Sequence, residues 1–323
     1  MTRTDELRLI SKVARLYYEH GLQQAEIGEV LSLSQATVSR LIKRAHEEKI
    51  VRTSVTTPKG VYTELEEALV AKYGIKDAIV ADSAIDDDDV VLRDIGAAAA
   101  FYLENSIRSG EVIGISSWSA TLLATVESMH RVPHVSQVKV VQILGGVGNP
   151  AAETYATRLV DRLAQLLHGE TVFLPTPGVL GSEGTRNALL EDPFIQESMR
   201  YFEKVTLALV GIGELKPSSL LSTSGNIFTL DELDGLQQSG AVGDILLRFF
   251  DEAGQPITST LNERVVGMQL EQLKAVRRSI GIAGGKRKID AIRGALRGKI
   301  INRLITDQYT AQRLIECQDL LYD

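Results

Sequence analysis

Apolar positions follow two different rules along the chain. In the first fifty residues they recur at three- and four-residue spacing. Leu9, Val13, Leu16 and Tyr17 share one helical face and predict a helix over residues 5–20, closed by Gly21. Two shorter helices are predicted over residues 23–31 and 35–48. Ile50, Val51, Arg52, Ser54, Val55 and Thr57 then suggest a β-wing, with Pro58-Lys59-Gly60 as its turn. From Tyr62 the pattern changes. A helix over residues 64–73 stops at Gly74. Strand-length apolar runs follow at residues 78–80, 112–115, 138–144, 171–174, 205–210, 245–250, 276–282 and 300–305. Helical segments separate most of them, at residues 90–109, 121–129, 151–167, 231–238 and 286–297. Apolar strands alternating with helices predict a mostly parallel sheet covered on both faces. The expected fold class is therefore α/β. A winged helix-turn-helix domain occupies residues 1–57, and a larger, doubly wound domain occupies residues 58–323.

Composition narrows the class without changing this outline. A chain of 323 residues has room for two domains. With 44% apolar and 24% charged residues it is an ordinary globular protein. Met1-Thr2-Arg3-Thr4-Asp5-Glu6 offers no apolar stretch of signal-peptide length, and no run approaches bilayer-spanning length. A cytoplasmic protein without membrane contact is expected. Cys317, the single cysteine, allows no internal disulfide. It has no basic neighbour in its own turn, and an inert thiol is expected. Asp86–Asp89 reads as a solvated run leading into a helix N-terminus, where acids suit the dipole. No metal site or cofactor is expected.

A net charge of −7 taken alone argues against DNA, but its distribution reverses that reading. Residues 1–57 carry nine Lys/Arg against seven Asp/Glu, leaving the remainder at −9. From Arg40 to Arg52 there are five bases and two acids. A basic edge on an acidic body can hold phosphates locally.

That edge carries a motif. From Gln24 to Leu41 the spacing is that of a helix-turn-helix. Ile27, Leu31, Leu33, Val38 and Leu41 supply its apolar contacts. Gly28 sits where the two helices should approach most closely, and Ser32 stands in the turn where Gly is frequent. Ser34 is a natural N-cap, because its hydroxyl can accept an otherwise unpaired N–H. The second helix then displays Gln35, Ala36, Thr37, Ser39, Arg40, Lys43 and Arg44. Gln and Arg can read base edges, while Lys, Arg, Ser and Thr suit phosphates. Such a helix enters the major groove N-terminus first. Gln35, Ala36, Thr37 and Arg40 are expected nearest the bases of double-stranded operator DNA, with Lys43 and Arg44 on the backbone. The bland alternative is a three-helix bundle whose third helix happens to be basic.

At this point the chain resembles the SorC family of sugar-responsive bacterial regulators. The likeness runs through Ala14-Arg15-Leu16-Tyr17-Tyr18, Gly21-Leu22-Gln23-Gln24-Ala25-Glu26-Ile27 and Ser34-Gln35-Ala36-Thr37-Val38-Ser39-Arg40-Leu41. It continues in Gly114-Ile115-Ser116-Ser117-Trp118-Ser119-Ala120-Thr121-Leu122, Gln142-Ile143-Leu144-Gly145-Gly146 and Gly240-Ala241-Val242-Gly243-Asp244-Ile245. It closes in Ala283-Gly284-Gly285-Lys286-Arg287-Lys288-Ile289-Asp290 and Leu304-Ile305-Thr306-Asp307. The resemblance implies a sugar-binding domain related in fold to phosphosugar isomerases and deaminases. It also implies a homotetramer and an effector, a sugar or polyol phosphate, that modulates DNA binding. By the same resemblance Lys288 meets the ligand phosphate and Asp244 binds sugar hydroxyls.

The residues themselves suit such a site. Residues 112–115 form a strand, and a hydroxyl-rich turn follows with Ser116, Ser117, Ser119 and Thr121. A strand–turn–helix junction of this kind aims free N–H groups at one point. Read without the family, the junction is equally an ordinary turn, Lys288 a solvated lysine and Asp244 a cap or strand-edge charge. Asn149 follows a strand end and is a further pocket candidate. Pro175-Thr176-Pro177-Gly178 either walls the pocket or only turns the chain. Trp118 either stacks on a ligand or fills the core.

Two other functions remain open at this stage. A phosphosugar isomerase or deaminase on the same fold needs a paired general acid and base. The five histidines, His20, His46, His130, His134 and His168, lie away from most candidate ligand loops, and no Asp/Glu–His constellation stands out. Alternatively the large domain only oligomerises.

Overall fold

The structure, a computed structural model, describes residues 3–51, 58–146, 150–215 and 228–317. Of the expected wing, Ile50 and Val51 form a bend and no strand, and Arg52 to Thr57, like the pocket candidate Asn149, lie outside the described residues. Contacts within the chain divide it into two compact units, Met1–Pro58 and Lys59–Asp323.

Among the described residues the first unit has three helices, α1 (Arg3–Tyr18), α2 (Gln24–Leu31) and α3 (Gln35–Glu47). Ile10, Val13, Ile27, Val38, Leu41 and Ala45 close a small core between them. Gly28 is needed for a more local reason than helix crossing. A Cβ there would lie 2.7 Å from the Leu33 carbonyl oxygen, inside the turn itself. The turn bends at Ser32, whose φ of 53° is left-handed. Its N–H is satisfied by the Glu29 and Gly28 carbonyls. A side chain tolerates this conformation less readily than glycine, and the paired N–H helps to hold it.

The second unit is organised on a seven-stranded parallel sheet in the order β1-β9-β8-β5-β2-β3-β4. Its strands are β1 (Asp77–Ala81), β2 (Val112–Ile115), β3 (Lys139–Gln142), β4 (Glu170–Val172), β5 (Leu207–Gly211), β8 (Arg278–Ile282) and β9 (Arg303–Asp307). Two apolar layers cover its faces. In one, α5 (Asp88–Ser106), α6 (Ala120–Ser128) and α7 (Pro150–Leu166) contribute residues such as Leu103, Leu122 and Leu163. In the other, α4 (Thr63–Tyr73) and the helices Ile289–Arg297 and Gln308–Glu316 contribute Leu69, Leu296 and Leu314. Burial on both faces explains the nearly continuous apolar runs of the strands. Strand order reverses between β2 and β5, and ligands favour the crevice at the carboxyl ends beside such a reversal.

Several elements differ from expectation. Residues 245–250 are not one strand. They end β6 (Ala241–Ile245), turn at Leu246 and Leu247, and begin β7 (Arg248–Asp251) of an antiparallel hairpin. Both leucines are left-handed, with φ of 59° and 58°. The Asp244 carboxylate accepts the Leu247 N–H at 3.0 Å, and both leucines are buried. Tertiary burial thus enforces a turn usually built from Asn and Gly. The strand expected at residues 276–282 starts only at Arg278, because Val276 caps the helix Leu270–Ala275. The strand expected at residues 300–305 occupies Arg303–Asp307. Helices at Glu183–Leu190, Pro193–Met199 and Gln308–Glu316 were not expected.

Arg248 holds the wall beside the hairpin. Its side chain is buried and donates to the carbonyls of Met268 at 3.0 Å, Asn262 at 3.3 Å, Gly267 at 3.3 Å and Val265 at 3.5 Å. Burial pushes the guanidinium down to about 10, which still leaves it charged at neutral pH. The segment it gathers accepts from Gly145 and donates to Ile143 and Gly178. One arginine thereby ties the end of β3 to the chain that passes beside it.

Candidate functional site

On the first unit, α3 carries an exposed polar face. Ser34 caps it, accepting the Thr37 N–H at 3.2 Å. Ser34, Gln35, Ala36, Ser39, Arg40 and Lys43 are exposed and Thr37 is half-buried. Arg40 reaches only the Thr37 hydroxyl, at 3.5 Å. Lys43 faces Glu47 at 3.8 Å, a loose surface pair worth little. Arg44 is placed differently. It is half-buried, ion-paired with Glu6 of α1 and within 3.7 Å of Glu48. The hydrogen bond from Arg44 holds the Glu6 carboxyl below its ordinary range. Arg44 is therefore engaged in fastening α1 to α3, a pairing that helical projection of the sequence does not reveal.

On the second unit, the carboxyl ends of β2, β5 and β8 and the hairpin turn open onto one cavity of about 330 Å³. Of the residues read from the sequence, Ser116, Trp118, Ser119, Thr121, Asp244 and Lys288 line it. Ser117 does not. It is buried, and its hydroxyl points to the Leu144 carbonyl at 3.5 Å. Ser119 caps α6 by accepting the Leu122 N–H at 3.3 Å, so the positive end of that helix faces the cavity residues beside it. The indole of Trp118 is buried, and its Nε1 has no hydrogen-bond partner among the described residues.

Two glycines missed by sequence reasoning create the space. A Cβ on Gly211 would lie 2.3 Å from the Ser119 hydroxyl oxygen, and one on Gly213 would lie 2.1 Å from Asp244 Oδ1. The end of β5 thus admits both side chains. Gly213 and Asp244 also exchange backbone hydrogen bonds, at 2.9 and 3.1 Å, which dock the hairpin onto the sheet. An apolar side was missed too, with Leu144, Phe228, Leu246, Leu247 and Phe249 facing the polar groups. Leu246 and Leu247 escaped notice because the hairpin turn was read as strand.

The ionisable pair is tuned by desolvation. Burial pushes the Asp244 carboxyl up to about 6, against the Leu247 N–H and the Lys288 charge, which favour its ionised form. Burial likewise lowers Lys288, opposed by the charges of Glu214 and Asp244. Among the described residues Lys288 has no ion-pair partner within 4.0 Å. A cation with no direct ion pair, hydroxyls and a helix N-terminus around one cavity can receive an anionic group.

Asp244 makes a pH signature. Its folded value lies above the ordinary 3.8, so the fold favours the protonated form. That contribution is complete below the ordinary value and is lost as pH rises through about 6. Between about pH 4 and pH 7 the melting temperature of the wild type should fall relative to that of Asp244→Asn, which stays neutral throughout. Parallel melting curves for the two proteins would rule this out.

Comparison with known proteins supplies the context. Residues 60–316 match a family described as "Putative sugar-binding domain", and residues 11–48 match Sigma-70, region 4. The chain is 32% identical to the deoxyribonucleoside regulator of Bacillus subtilis over 96% of its own length and 98% of that protein's. It is 31% identical to the sorbitol operon regulator of Klebsiella pneumoniae over 98% and 100% of the two lengths. The crystal structure of the full-length sorbitol operon regulator SorC from Klebsiella pneumoniae superposes with a TM-score of 0.74 at 30% identity, covering 97% of this chain and 100% of that one. A structure described as "Putative sugar-binding domain of transcriptional regulator DeoR from Pseudomonas syringae pv. tomato" shows 40% identity and a TM-score of 0.63, covering 79% of this chain and all of that one.

Proposed function

The chain belongs to the SorC family of sugar-binding transcriptional regulators, and from that premise we propose that α3 grips operator DNA while a phosphorylated sugar or polyol in the cavity adjusts the grip. The protein is a DNA-binding regulator of a sugar-type operon and not an enzyme. The observation that carries the effector half is the convergence of Lys288, the Ser116 to Thr121 turn and Asp244 on one cavity. Lys288 and the α6 N-terminus receive the phosphate, and Asp244 receives a sugar hydroxyl. The DNA half rests on the exposed row from Ser34 to Lys43. A homotetramer would present paired recognition helices to a palindromic operator. No helix among the described residues is long and apolar enough to cross a membrane, which fits a regulator acting in the cytoplasm.

Two substitutions on α3 separate base reading from phosphate holding. Arg40→Ala should relax the preference for the operator over unrelated DNA, costing about 1–3 kcal/mol at the cognate site. Lys43→Ala should weaken binding to all sequences alike and lower the salt slope by about one. Arg44→Ala should act mainly through loss of folding stability, because Glu6 already holds that side chain. Titrations of operator and scrambled duplexes over a salt series make the distinction. Equal loss on every sequence for both Arg40→Ala and Lys43→Ala would refute the assignment.

A further inference from the structure

The cavity's cationic loop and the start of the second unit are fastened to the same short segment. That segment, residues 82–88, joins β1 to α5. On one side it holds the loop that carries Lys288. Arg287 Nε donates to Asp88 Oδ2 at 2.8 Å, and Lys286 Nζ lies 3.1 Å from Asp86 Oδ2. Asp86 is also paired with Arg313 of the last helix. Gly285, with φ of 95°, lets the two loops touch, since a Cβ there would lie 2.5 Å from Asp88 Oδ1. On the other side the segment holds the chain just after Pro58. Tyr62 Oη donates to Asp82 Oδ1 at 2.6 Å. Gly60, with φ of 83°, would put a Cβ 3.2 Å from Asp82 Oδ2. The middle is clamped as well. Ser83 N donates to Gln308 Oε1 at 2.8 Å, Gln308 Nε2 returns to the Ser83 carbonyl at 2.6 Å, and Ser83 Oγ donates to Asp94 at 2.8 Å.

We propose that residues 82–88 transmit the state of the loop 283–288 to the chain at residues 60–62, and so along the chain to the DNA-binding unit. Arg287, which lines the cavity, is held by Asp88 and also lies 3.4 Å from Glu214, and an anion in the cavity competes with both acids for it. An anion drawing Arg287 toward itself loosens its hold on Asp88. The segment carrying Asp88 also carries Asp82, whose carboxylate pins Tyr62. This extends the effector reading given above, which supplies the anion. Contiguity of this kind becomes coupling only if the two ends bias one equilibrium, and a mutant cycle measures that directly.

The test uses the full chain without any ligand. Promoter-fragment affinity is measured for the wild type, Arg287→Gln, Tyr62→Phe and the double variant. Fluorescence of Trp118 monitors folding of the second unit. Arg287→Gln releases Asp88 and should change promoter affinity on the order of five-fold or more. In the Tyr62→Phe background the same change should shrink to within about two-fold, the scatter expected of independent sites. Asp88→Asn breaks the same pair from the other side, should repeat the pattern, and replaces Arg287→Gln if that variant does not fold. Equal changes in both backgrounds, or no change from either Arg287→Gln or Asp88→Asn, would overturn the proposal. A separate thermal-shift arm with ribose 5-phosphate and inorganic phosphate addresses the effector reading alone. Its failure leaves the outcome of the ligand-free cycle unaffected.

Discussion

Replacing Arg248 by methionine should destabilise the second unit by about 3 kcal/mol, lowering its melting temperature by roughly 6–12 °C. The side chain is buried and gathers four carbonyl oxygens, those of Asn262, Val265, Gly267 and Met268. Methionine fills comparable space but donates nothing. Each buried carbonyl left without a donor costs about 1–3 kcal/mol, Val265 keeps the Arg186 Nε–H at 3.1 Å, and relaxation recovers part of the total. Arg248→Lys should fall between wild type and Arg248→Met, because an ammonium reaches some of these oxygens but lacks the planar fork. Denaturation followed at Trp118, the only tryptophan, reports this unit specifically. A loss below about 0.5 kcal/mol, typical of an inconsequential surface change, would show that the wall does not depend on this arginine.

The second large effect concerns Lys288. Lys288→Met should abolish stabilisation by phosphate esters while leaving the unliganded protein as stable as the wild type or more so. Desolvation lowers this ammonium's affinity for a proton, against the charges of Glu214 and Asp244. Removing the charge therefore removes an unfavourable burial. With an anion bound, the same charge becomes half of a hydrogen-bonded pair, and truncating such a partner costs about 2–5 kcal/mol. Affinity for a phosphate ester should thus fall on the order of 100-fold. Melting curves with and without a panel of pentose, hexose and hexitol phosphates separate the two parts. Unchanged stabilisation in the variant would move the phosphate elsewhere in the cavity. A marked loss of stability without ligand would make Lys288 a structural residue.

How much of this was legible in the sequence depended on the range of the interactions. The helix-turn-helix could be read because its signals lie within a few residues of one another. The Ser34 cap reaches Thr37, and the glycine requirement at position 28 is set by the Leu33 carbonyl. Arg44 belongs to the same helix, yet its partner Glu6 lies 38 positions away, and nothing local distinguishes it from Lys43. The parallel sheet was readable from its apolar runs, whereas the hairpin was not. Leu246-Leu247 contains no turn residue, and only docking of Asp244 on Gly213 and burial of both leucines enforce the bend. Serine, aspartate and proline at the starts of the helices Glu183–Leu190 and Pro193–Met199 were usable signals that the strand-centred reading passed over. Within the site, the hydroxyl turn stood out by composition, whereas Lys288 and Asp244 were singled out by the family resemblance. The clearances at Gly211 and Gly213, and the acids that hold Arg287, exist only once distant strands are brought together.

The most direct measurement is the affinity of the purified full-length protein for its own promoter region across a salt series, with and without sugar and polyol phosphates. A recognition helix tuned from the cavity requires preference for that fragment over unrelated duplex, affinity that falls steeply with salt, and a shift on adding at least one phosphorylated ligand. Binding that ignores salt and sequence, and that no such ligand alters, would contradict it.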